Sequence, residues 1–93
     1  MSNPIIALNG VQALDVSNLR PHETAAVFVQ GDANDFVWSV QAKANGAAAF
    51  IDLPTISGVT GAAIKEFRPC RDVSYQVKVT NMGTATSIFI RTN

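Results

Sequence analysis

The chain has 93 residues, with seven basic and seven acidic side chains, one histidine and one cysteine. That length holds one hydrophobic core, so a single domain over 1–93 is expected. Zero net charge with scattered signs excludes the basic face a nucleic-acid binder needs for counterion release, and a lone cysteine excludes an intrachain disulfide framework.

Charged residues are only 15% of the chain, against about 25% in an average domain, so little repulsion opposes self-association and an assembled state is expected. The first ten residues, MSNPIIALNG, lack the basic stretch and long apolar core of a signal peptide. No apolar run approaches the roughly 20 residues needed to cross a bilayer. Synthesis in the cytoplasm without membrane contact is therefore expected, an origin that a virion component would share.

In chain order, residues 1–23 alternate short apolar pieces with turn chemistry, and Asn9-Gly10 between apolar flanks carries a hairpin signal. Thr24 to Gln30, TAAVFVQ, predicts a strand with two apolar faces: Ala25, Val27 and Val29 on one, Ala26 and Phe28 on the other. The polar cluster GDAND at 31–35 predicts a turn, and Phe36 to Lys43 resumes alternation with Phe36, Trp38, Val40 and Ala42 on one side and Val37 opposite. Ala47 to Leu53 reads as a further strand that Pro54 ends. Thr55 to Gly61 is rich in glycine and β-branched residues and reads as a loop or irregular edge. For Ala62 to Arg68, the spacing of Ile64 and Phe67 favours one helical turn over a short strand.

Val73 to Thr92 carries the strongest pattern. Val73, Tyr75, Val77 and Val79 alternate with polar residues, Asn81-Met82-Gly83 offers a turn, and β-branched residues from Thr84 to Thr92 follow, which together predict a β-hairpin. Short β runs separated by turns, with no helix of three turns, define an all-β fold: a small antiparallel β-sandwich of about seven strands. Trp38, Tyr75, Val77 and Ile88 are the expected core, while Phe28, Val37 and Phe89 fall opposite it and form the candidate interface.

Catalytic chemistry is thinly supplied. His22 and Cys70 are the only His and Cys, and no flanking pattern positions them as a nucleophile and base. Zinc needs several such ligands at short spacing, a calcium loop built on Asp32, Asn34 and Asp35 lacks its later glutamate, and Gly58 and Gly61 lack the lysine of a phosphate-binding loop. The expected protein is not an enzyme and holds no metal or cofactor.

Phe67-Arg68-Pro69, followed by Tyr75-Gln76-Val77-Lys78-Val79-Thr80-Asn81 and Gly83, resembles the end of a fibronectin type III or related immunoglobulin-like domain. Trp38 is similar to the core tryptophan of that family, and Tyr75 matches the tyrosine of its corner. The resemblance implies an immunoglobulin-like or related Greek-key sandwich. In general character the chain is also similar to small accessory proteins of tailed-phage virions, a likeness that implies a capsid decoration, cement, tail or spike role through repeated identical interfaces. The leading expectation is thus a structural protein whose partner is itself or a viral capsid or tail protein, as a homo-oligomer or lattice-bound. The alternative is a monomeric fibronectin-like module that recognises a protein or glycan through loops 31–35 and 54–61.

Overall fold

A computed structural model of the chain describes residues 2–5, 11–14 and 23–92. The described residues form nine strands: β1 (Ser2–Ile5), β2 (Val11–Leu14), β3 (Ala25–Gly31), β4 (Val37–Ala44), β5 (Ile51–Asp52), β6 (Val59–Thr60), β7 (Ala63–Phe67), β8 (Val73–Asn81) and β9 (Ile88–Thr92). They make two antiparallel sheets, and among the described residues there is no helix. Sheet A runs β1-β9-β3-β7; sheet B runs β2-β8-β4-β5, with β6 pairing the start of β4.

Period-2 alternation builds the core between the sheets. Ala25, Val27 and Val29 of β3 with Ile88 and Ile90 of β9 face Trp38 and Val40 of β4 and Tyr75, Val77 and Val79 of β8, all buried. Trp38, the largest fully buried side chain, donates its indole N–H to the Gly61 carbonyl at 2.9 Å, so the polar atom that burial strips of water has a partner. Phe67 and Tyr75 stack at a tilt with ring centroids 4.7 Å apart.

The 73–92 segment is not a hairpin. Val73–Asn81 runs in sheet B and Ile88–Thr92 in sheet A, so the chain crosses the core instead of reversing beside itself. Two facts explain it. Both edges of β8 are occupied, one by β4 and one by β2. The connection also buries Met82 and Ala85 at the end of the core, where a tight turn would hold them in water. The flanks of Asn9-Gly10 behave alike: that dipeptide lies outside the described residues, but β1 sits in sheet A and β2 in sheet B. The first two strands therefore clasp the last two, β1 against β9 and β2 against β8.

Two smaller expectations are corrected. The 62–68 segment is strand β7, because pairing five residues with β3 outweighs an i, i+3 spacing. The strand expected over 47–53 shrinks to Ile51–Asp52; beyond it, Leu53 and Ile56 continue along β4 through Leu53 N–H to Val40 O at 2.8 Å and Val40 N–H to Ile56 O at 2.9 Å. Ile56, in the segment expected to be irregular, is fully buried.

Candidate interaction surface

The two sheets present unlike faces to solvent. On sheet A, the register sets Phe28 opposite Ile64 of β7 and Arg91 of β9, and Gln30 opposite Phe89. Phe89 is thus the diagonal neighbour of Phe28, at the roughly 7–8 Å spacing such pairs adopt, within reach for aromatic rings. Phe28, Ile64 and Phe89 remain 37%, 62% and 53% exposed. Beside them an open groove of ≈ 420 Å³ is lined by Phe28, Val29, Gln30, Ala62, Ala63 and Ile64. The charges on this face stand at its margins or between the aromatics: Glu66 opposite Ala26, and Arg91 opposite Phe28.

Sheet B's outer face carries the exposed Val11 and the half-buried Val37 near its margins, but its centre is polar and internally bonded. The Gln76 amide donates to Gln41 Oε1 at 2.8 Å, Gln41 Nε2 donates to Asp52 Oδ1 at 2.8 Å, and the Ser57 hydroxyl donates to Asp52 Oδ2 at 2.9 Å. Those donors, Gln41 first and then Ser57, together with the Lys78 charge, hold the Asp52 carboxyl below its ordinary value. Ser39, buried on this face, accepts the Gly58 N–H at 2.9 Å. A surface whose polar groups already bond one another gains little by burial; a surface of bare aromatic and aliphatic carbon gains by every square ångström covered.

Of the three residues expected at an interface, Phe28 and Phe89 share sheet A's outer face. Val37 does not join them: it lies in β4 of sheet B, half-buried, paired with Asn81 and Thr60. The alternation that put it opposite Trp38 holds within its own strand, but strands of different sheets have outer faces on opposite sides of the molecule. Ile64 takes the third place. Sequence alone obscured it, because Lys65 occupies an inward position of β7 between Ala63 and Phe67 and disguises the strand period. Trp38, Tyr75, Val77 and Ile88 are all buried.

The remaining candidate residues are engaged in structure or lie apart. Asp32 Oδ1 accepts from Thr86 N–H at 2.8 Å, its Oδ2 accepts from the Thr86 hydroxyl, and Asp35 accepts from Thr84 N–H at 2.9 Å. These acidic residues thus bind the β8–β9 crossover, and no group of three or more His, Cys, Asp or Glu suited to a metal occurs among the described residues. Cys70 is exposed, and His22 lies outside the described residues. No helix among the described residues is long and apolar enough to cross a membrane.

No protein-family model matches the chain, nor does any curated protein or solved structure. The surface itself therefore carries the functional argument.

Proposed function

We propose that the protein is a non-enzymatic structural component that works by repeated contacts between copies of itself, with the outer face of sheet A as the contact surface. One observation carries this: three of the five exposed large hydrophobic residues among those described, Phe28, Ile64 and Phe89, converge on that face, while the opposite face, with Val11 at its β2 side, is centred on a bonded polar network. The low charge of the chain supports the same reading. A virion accessory role, on a capsid or tail where identical interfaces repeat, is the setting we favour, on the general character of the sequence.

The immunoglobulin-like reading has support and opposition. The Tyr75 hydroxyl accepts the Cys70 N–H five residues upstream at 2.8 Å, as the corner tyrosine of that family bonds to upstream backbone. Against it, that family keeps its last two strands in one sheet, and β8 and β9 are divided. The loop-binding alternative loses ground, since Asp32 and Asp35 of loop 31–35 are engaged by Thr86 and Thr84, and loop 54–61 is anchored by buried Ile56.

Sedimentation across a concentration series tests the proposal. Wild-type protein is expected to form a dimer or larger assembly, and Phe89→Ser, at a position 53% exposed, is expected to fold normally and lower the mass of that assembly. A Phe89→Ser variant that assembles like wild type overturns the assignment of this face.

A further inference from the structure

The area of the face sets a problem for self-association. Four strands about 4.8 Å apart, carrying three rows of outward residues about 7 Å apart, cover roughly 19 by 21 Å, or about 400 Å², against roughly 800 Å² per partner in a standard interface. Packing this face against its copy leaves about half of the required area unmet. The neighbouring resource is β7, which pairs with β3 on one side and, among the described residues, is the edge of sheet A on the other. An edge strand presents a row of backbone donors and acceptors ready for another chain.

We propose that two copies join antiparallel through the free edges of β7, centred on Ile64, so that sheet A continues into an eight-stranded sheet; this rests on the assembly reading above. The register follows from parity and charge. In a continued sheet, outward residues stand opposite outward residues, so a two-fold pairing must centre on a residue and not between residues. Centring on Lys65 sets lysine against lysine, and centring on Glu66 sets glutamate against glutamate, both unfavourable. Centring on Phe67 runs Lys65 against Pro69, which has no N–H to offer. Centring on Ala63 draws in Gly61, whose φ of 80° is not extended.

Only Ile64 keeps these conflicts out of its five central pairs, 62–66, with Gly61 reached only beyond them, opposite Phe67. There Ile64 meets the partner's Ile64, Lys65 stands opposite the partner's Ala63, and Glu66 opposite the partner's Ala62, a small side chain that leaves room for a long one. Lys65 and Glu66 thus guard the edge against other registers. The pairing also joins the apolar rows: Phe28 and Ile64 of one copy run into Ile64 and Phe28 of the other, doubling the face offered to further copies.

Cysteine scanning in a Cys70→Ser background, at a concentration where sedimentation shows association, tests the register. Ile64→Cys is expected to oxidise to a disulfide-linked dimer, since directly opposite residues sit with Cα atoms about 4.5–5.5 Å apart, within disulfide range. Glu66→Cys is expected to stay uncrosslinked, and Ile64→Lys to lose the dimer. Cross-linking at 66, or at both positions alike, overturns the register. Assembly with no cross-link at 64 overturns the edge pairing while leaving the assembly reading intact, and a monomer at every concentration overturns both.

Discussion

Asp32 and Thr86, 54 residues apart, are joined through both backbone and side chain: Asp32 Oδ1 accepts the Thr86 N–H at 2.8 Å and Oδ2 the Thr86 hydroxyl. Asp35 does the same for Thr84, at 2.9 Å from its N–H and 3.1 Å from its hydroxyl, and Asp32 N–H returns a bond to the Ser87 carbonyl at 3.2 Å. The turn after β3 thereby holds the crossover from β8 to β9, the connection on which the two-sheet topology depends.

Acid should loosen this latch. Hydrogen bonds from Thr86 hold the Asp32 carboxyl, and those from Thr84 the Asp35 carboxyl, below their ordinary value of 3.8. A depressed folded-state value means the unfolded chain binds more protons near it, so the contribution is fully present above about pH 4 and is lost as pH falls through the folded value. Thermal melts from about pH 5 down to pH 2 should show Asp32→Asn and Asp35→Asn less stable than wild type at the upper end and converging with it at the lower. A constant gap across that range counts against the latch.

Gly83→Ala should be far more damaging than Gly46→Ala. Both glycines have positive φ, 58° and 91°, so each substitution carries backbone strain. A Cβ at 46 meets nothing within 4 Å, whereas at 83 it falls on the Asp35 carboxyl carbon and the Asp35 carbonyl oxygen. Denaturant unfolding should show a loss of about 1–2 kcal/mol at Gly46 and a larger one at Gly83.

Ile56→Ala and Ile64→Ala, the same substitution on residues 1% and 62% exposed, should separate cleanly. The first removes a core side chain and should cost about 2–5 kcal/mol; the second should change monomer stability by less than about 0.5 kcal/mol. Equal losses in chemical denaturation would show that segment 54–61 is not anchored as described.

Tyr75→Phe keeps the ring stacked on Phe67 but leaves the Cys70 N–H without the acceptor it has at 2.8 Å. A loss of about 1 kcal/mol is expected in equilibrium unfolding, with hydrogen exchange at the Cys70 amide faster than in wild type.

The features legible in the chain alone are local ones. Alternation is a property of consecutive residues, so β3, β4 and β8 and the burial of Trp38, Val40, Tyr75 and Val77 follow from it directly. Where no such alternation exists, as at Ile56, or where a lysine interrupts it, as at Lys65 in β7, the strand or core position was not legible. Partnership is a different quantity. Whether Val73–Asn81 pairs with the strand that follows it or with β4 and β2 depends on which arrangement covers the most apolar surface, including Met82 and Ala85, and that sum runs over the whole chain. The same holds for the surface. Sequence placed Phe28, Val37 and Phe89 opposite the core, and only the assignment of strands to sheets put Phe28, Phe89 and Ile64 on one face and Val37 on the other side of the molecule.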